Sequence, residues 1–287
     1  MSKKILGGLL AVSLSILSGC ESATKPQDPA PSTTAGLKLL GTYTSSLHGG
    51  KLQAKVWIHD SLVVGWNELE VELSDPRFKD SLVHDAHVKP IPYMTMATMS
   101  HAAPYEVLST PESDPATERF VVADVFTMPS GDMGSWVVKF RVHDHRFAGT
   151  ADSVKQNDTV VIPVTVKQPT LAKLFTFKGP DSIKRVVAMR KPASPVVGLN
   201  DLEFTVHKMK DMMSFPADTG AKVAFDPTMP SMGHGSPNNV QPAHVGKGHF
   251  TGKANFTMTG DWRLSMTISD STGAVQSSGK YFDLLVK

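Results

Sequence analysis

The chain has 287 residues, 29 basic and 27 acidic side chains, a net charge of +2 and a single Cys. One Cys permits no intramolecular disulfide and no thiolate metal cluster. A charge balance this even excludes a nucleic-acid binder, or any binder of anionic surfaces, that works by bulk positive charge.

Taken in chain order, residues 1–19 read as a targeting segment. Lys3 and Lys4 precede an apolar stretch from Ile5 to Leu17, too short to span a bilayer comfortably. It ends at Leu17-Ser-Gly-Cys20, which resembles the bacterial lipobox, and the resemblance implies lipidation of Cys20 as the first mature residue. Cleavage there removes Lys3 and Lys4 from the 29 basic residues and leaves 27 against 27 acidic. The acyl chains, not charge, are then expected to hold the protein on a membrane. Residues 20–37 are mostly Ser, Thr, Pro and Ala with little to bury, as in a flexible tether.

Beyond the tether the chain repeats itself. Met96, Met99, His101 and Pro104 recur 133 residues later as Met229, Met232, His234 and Pro237. The same offset carries Gly65-Trp-Asn-Glu-Leu-Glu onto Gly198-Leu-Asn-Asp-Leu-Glu. With small shifts, Phe126-Thr-Met128 matches Phe256-Thr-Met258, Gly131-Asp132 matches Gly260-Asp261, and Trp136 matches Trp262. A fixed period of this size marks a duplicated unit. The expected domains are 38–167 and 168–287, each large enough for its own core.

Each unit reads as β-structure. Leu69, Val71 and Leu73 alternate with Glu70 and Glu72, and Leu202, Phe204 and Val206 repeat the pattern, as half-buried strands require. Trp136–Val142 and Trp262–Ile268 are predicted as late strands, and Val160–Val166 and Tyr281–Val286 as closing ones. Gly and Pro punctuate these runs and no long helical period appears. The expected fold is all-β: two tandem immunoglobulin-like antiparallel β-sandwiches after a lipoprotein signal peptide and tether.

Candidate chemistry concentrates in the Met/His runs. Met229-Pro-Ser-Met-Gly-His234 lies between strands, and His244, His249 and Met258, the last on a predicted strand, are further donors downstream. Thioether and imidazole are soft to borderline ligands, so Met229, Met232 and His234 favour Cu(I), and added imidazoles broaden the preference toward Cu(II). Met needs no deprotonation and survives where thiols oxidise. The other reading is packing, because Met fills gaps and contacts aromatic rings, here Phe256 or Trp262. The first unit offers a weaker set, Met94, Met96, Met99 and His101, with Ala97 and Ser100 where the second has Pro230 and Gly233. His84 and His87 lie nearby, and His143-Asp-His145 puts two imidazoles on one face of a strand end. His207, Met209, Met212 and Met213 form another cluster.

The runs Asp226-Pro-Thr-Met-Pro-Ser-Met-Gly-His-Gly235 and Gly248-His-Phe-Thr-Gly-Lys-Ala-Asn-Phe-Thr-Met-Thr-Gly-Asp-Trp262 resemble the YtkA-like domain family, which is related to FixH-type proteins. The resemblance implies a small β-sandwich in an exported or membrane-anchored bacterial protein, near copper export or oxidase assembly. No phosphate-binding Gly loop, His-Glu-x-x-His or Gly-x-Ser-x-Gly occurs, and Asp132 and Asp261 read as turn residues. The expectation is a non-enzymatic lipoprotein of the bacterial envelope, facing the periplasm or the surface from the outer membrane. It would handle or deliver copper. The alternative is an immunoglobulin-like scaffold whose partner is another envelope protein or a surface ligand.

Overall fold

The computed structural model describes residues 36–287 apart from 48, 80 and 152. The signal peptide, Cys20 and nearly all of the tether lie outside the described residues.

Two antiparallel sheets form the first half. One has the order β1 (Lys38–Thr44), β2 (Gln53–Ile58), β3 (Gly65–Ser74), β7 (Phe120–Phe126), β6 (Tyr105–Val107). The other runs β5 (Ser100–Ala102), β4 (Ala86–Thr95), β8 (Ser135–Asp144), β9 (Asn157–Val164). In the second half one sheet is β10 (Leu174–Lys178), β11 (Lys184–Lys191), β12 (Gly198–Lys208), β16 (His249–Phe256), β15 (Val240–Gly246). Its partner is β14 (His234–Gly235), β13 (Lys222–Met229), β17 (Gly260–Ser269), β18 (Val275–Val286). Adding nine to each strand number of the first half gives the strand orders of the second, so the duplication extends to topology.

The alternation that predicted strands is also what fills the cores. On β8, Trp136, Val138, Phe140 and Val142 point inward, and on β17, Trp262, Leu264, Met266 and Ile268 do the same. Facing sheets bury these rows in two clusters, one per sandwich. Burial of large side chains such as Trp136, Phe140, Phe204 and Phe282 supplies the main driving force, on the order of 2 kcal/mol each.

Equivalent devices recur in detail. Asn67 accepts from the Val63 N–H at 2.8 Å and donates to the Val63 and Gly65 carbonyls, both at 2.8 Å. Asn200 repeats this with Val196 and Gly198 at 2.7–2.9 Å. The Trp136 indole donates to the Met128 carbonyl at 2.9 Å, as Trp262 does to Met258 at 2.9 Å.

The described residues fall in one compact unit. Val125 of the first half packs with Val186 and Ala188 of the second, flanked by Trp66, Leu174 and Phe215. Around this small apolar joint Arg190 reaches Glu68 at 2.7 Å, and the Ala102 N–H donates to the Met212 carbonyl at 2.9 Å.

Candidate functional site: the Met/His loops

The second loop is built on the end of β13. That strand alternates outward and inward, so Val223, Phe225, Pro227 and Met229 all face the core. Met229 is therefore only 5 % exposed, in the same cluster as Trp262, with its ε-methyl lying where a Cβ on Gly260 would stand. Expected among the leading ligands, Met229 is placed in the core, where it floors the loop. The chain then turns, with the Met232 and Gly233 N–H groups both donating to the Met229 carbonyl at 2.9–3.0 Å and Gly233 at φ 66°. A left-handed residue is easiest for glycine, which explains Gly233. The turn pushes Met232 outward to 61 % exposure and returns the chain as β14, with His234 paired to Met229.

His234 stands edge-on to Trp262, ring centroids 5.8 Å apart at 78°. Its Nδ1 lies 2.9 Å from the Gly235 carbonyl, which can only accept, so Nδ1 carries the proton. In the neutral ring the Nε2 lone pair is then left bare. Metal-binding imidazoles are commonly oriented in this way. Met258, 39 % exposed, is tied through its carbonyl to the Trp262 indole. It lies beyond the end of β16, in the turn before β17, not on a strand as expected. Trp262 thus anchors one rim of the loop: His234 stands against its ring and the Met258 carbonyl takes its indole N–H, while Met232 is exposed two residues before His234 and Met229 is buried in the core.

The structure separates His244 and His249 from that rim. Asn255, near the end of β16, touches the Met/His loop through Pro237 and Asn239. His249 begins the same strand, six residues or about 20 Å away. His249 is fully engaged there: Nδ1 to Glu203 at 2.8 Å and Nε2 to Glu106 of the first sandwich at 2.6 Å. Burial alone would lower its pKa, but the two carboxylates overcome this and hold it at about 9. With both ring nitrogens engaged by carboxylates at the joint, His249 stands apart from the Met/His rim. His244 lies against the Phe250 ring, and its Nε2 accepts from the Gly248 N–H at 3.2 Å.

The first loop has the same plan in a different register. Met94, fully buried, pairs with His101 as Met229 does with His234. His101 stands edge-on to Trp136 at 5.5 Å and donates from Nδ1 to the Ala102 carbonyl at 2.8 Å. The structural equivalent of Met229 is thus Met94, not Met96, and the first loop is two residues longer. By the same token Gly134, two before Trp136, matches Gly260, and Asp261 sits on β17 while Asp132 occupies a turn. The Met96 N–H donates to the Met99 carbonyl at 2.9 Å, closing the turn without the Pro and Gly of the second copy. Met96 is half-buried on the core and Met99 is exposed.

The His207–Met213 cluster also divides. Met212 and Met213 are exposed, and Met212 is joined through its backbone to Ala102 beside His101. His207 is buried against a cleft of about 440 Å³ lined by Tyr105, Glu106, Phe215 and Lys247. Its Nδ1 has no partner, and burial lowers its pKa to about 4. The joint made by Glu106, Glu203, Arg190 and His249 was missed in the sequence. Its members are up to 143 residues apart, and no local signal marks them.

Among the described residues no group of three or more His, Cys, Asp or Glu side chains is arranged as it stands to hold a metal ion. Thioethers are outside that set, so a metal at the rim would rest on Met232 and Met258 with a single imidazole.

Residues 186–267 match the family model of YtkA-like domains. The matched segment runs from β11 into β17 and contains the whole second loop with Trp262. No curated protein matches the chain. Among solved structures, the Escherichia coli adhesin FdeC is 11 % identical, with 82 % of this chain and 64 % of that chain covered and a TM-score of 0.26. Invasin, a bacterial integrin-binding protein, is 16 % identical, with 82 % and 39 % covered and a TM-score of 0.25. Domains 5–6 of the S-layer protein SbsC are 8 % identical, with 87 % and 95 % covered and a TM-score of 0.29. The chain thus spans less than two thirds of the adhesin and invasin chains.

Proposed function

We propose that the YtkA-like segment binds Cu(I) at the rim of Met232, His234 and Met258, in a non-enzymatic protein held by lipid at Cys20 in the bacterial envelope. The observation that carries this reading is the orientation of His234. Its proton is committed to the Gly235 carbonyl, which leaves Nε2 as a donor, and exposed thioethers stand two residues before it at Met232 and beside Trp262 at Met258. Two soft sulfurs and one imidazole suit Cu(I), which such a protein would store or pass to an acceptor as cargo. Met229 supports the site from the core. The first loop, with Met99 and His101, is a second and poorer candidate.

Titration with Cu(I) against a competing chelator tests this, with wild type beside Met232→Ala and His234→Ala. The expected result is tight binding by the wild type and clear loss in both variants. Equal, weak binding by all three proteins ends the copper reading.

A scaffold that binds another envelope protein is the second reading. It is favoured by the exposed apolar run Val196, Val197 and Leu199 at the start of β12. Copper-independent capture of a partner, lost when these three residues become Ser, would support it.

A further inference from the structure

On the first sandwich, far in sequence from the YtkA-like segment, three imidazoles meet at one end of the β4–β8 pair. His143 and His145 are two residues apart and share a face, His145 standing just past the end of β8. Antiparallel register sets His87 of β4 directly opposite His143. The ring centroids are 4.6 Å apart for His87–His145, 5.4 Å for His143–His145 and 6.1 Å for His87–His143. Metal–nitrogen bonds of about 2.0–2.1 Å in a tetrahedron put donor nitrogens about 3.3 Å apart and ring centroids roughly 5 Å apart. His145 Nε2 and His87 Nδ1 stand 3.2 Å apart.

Two of the rings are already oriented from behind. His145 Nδ1 lies 2.5 Å from Asp85 Oδ1, and His143 Nδ1 lies 2.8 Å from Asn157 Oδ1. Both partners accept, so both protons sit on Nδ1 and both Nε2 atoms are donors to a cation. A carboxylate or amide oxygen behind an imidazole is the usual outer support of a metal ligand.

We propose that His87, His143 and His145 form a binding site for a divalent late first-row cation, Cu(II), Ni(II) or Zn(II), with Asp85 and Asn157 orienting two of the three ligands. Imidazole suits this group of cations, and three imidazoles leave a fourth position for water or an anion. The three donors do not meet at one point as the side chains stand. His87 and His145 are at ligand spacing, and His143, its ring 5.4 Å from that of His145, completes the set by a side-chain shift that keeps its Asn157 hydrogen bond. The cation takes the place of the proton that His87 Nδ1 shares with His145 Nε2, and that proton moves to His87 Nε2. Lys89 and Arg141 line the same shallow cleft, so their charge favours an anion in the fourth position.

The test is titration of the untagged full chain with Zn(II) and with Cu(II) against a chromogenic chelator, beside His87→Ala, His145→Ala and Asp85→Asn. Wild type is expected to bind one equivalent at this site. Binding should be lost in both His variants and weakened about 10- to 100-fold in Asp85→Asn. His87 is exposed, so its variant keeps the fold even if His145→Ala does not, and circular dichroism verifies this. No saturable binding by wild type, or equal binding by His87→Ala, overturns the proposal. Met232→Ala should leave Zn(II) binding unchanged, which separates this site from the Cu(I) rim: either can fail alone.

Discussion

His249 Nε2 of the second sandwich stands 2.6 Å from Glu106 Oε2 of the first, while its Nδ1 stands 2.8 Å from Glu203. This is a buried, hydrogen-bonded ion pair across the joint between the two sandwiches. Arg190 extends it by holding Glu203 at 2.8 Å and Glu68 at 2.7 Å. His207, Lys191 and Lys247 complete the charged and titratable groups around it.

The pair makes stability depend on pH in a stated direction. The folded pKa of His249 is raised to about 9 from the ordinary 6.5, so its contribution is complete below pH 6.5 and is lost as pH rises through 9. Glu203 is held down at about 2 by His249 and Arg190 despite burial, so its contribution is complete above pH 4.5 and is lost as pH falls through 2. Urea unfolding at pH 7 and pH 10 should show the wild type losing stability and His249→Gln losing much less. At pH 7, His249→Gln should cost about 3 kcal/mol by leaving two buried carboxylates short of a partner.

Asp124 weakens the fold in the same direction of pH, but from a lower starting point. It is fully buried with neither carboxyl oxygen partnered, and burial raises its pKa well above the ordinary value. A carboxyl so raised weakens the fold as pH climbs past its unfolded pKa of 3.8. Asp124→Asn should therefore be more stable than wild type at pH 7, by about 1 kcal/mol or more, with the gain shrinking toward pH 3. Thermal melts across that range check it.

Core and rim should respond differently to the same substitution. Met229→Ala removes a buried side chain and should cost about 2–4 kcal/mol. Met232→Ala, at an exposed position, should stay within about 0.5 kcal/mol of wild type while reducing Cu(I) affinity. Chemical denaturation and chelator competition on the same samples separate the two effects.

The two matching glycines should differ in tolerance. Both have positive φ, +147° at Gly134 and +123° at Gly260. A Cβ on Gly134 would strike the Thr95 carbonyl and both Met94 and Met96, whereas one on Gly260 meets only the flexible end of Met229. Gly134→Ala is therefore expected to lower the melting temperature more than Gly260→Ala.

Much of this fold was legible because its signals are local. Inward Leu69, Val71 and Leu73 against outward Glu72 require only a residue's neighbours, and so do the turns at Gly131–Gly134. Cross-strand register was not legible, and it decided the site. A strict offset of 133 matched Met96 to Met229, yet pairing with His101 makes Met94 the equivalent residue, because the first loop is longer by two. The same limit hid His87 opposite His143, 56 positions away on another strand.

By itself the sequence determined the all-β class and the duplication, since two-residue periodicity and repetition are properties of the chain in order. Only the tertiary structure decided that Met229 is core while Met232 is surface, that His234 presents a bare Nε2, and that His249 is a clamp between sandwiches. Those outcomes depend on which strands meet, and contacts between distant segments are set by the packing of the whole unit.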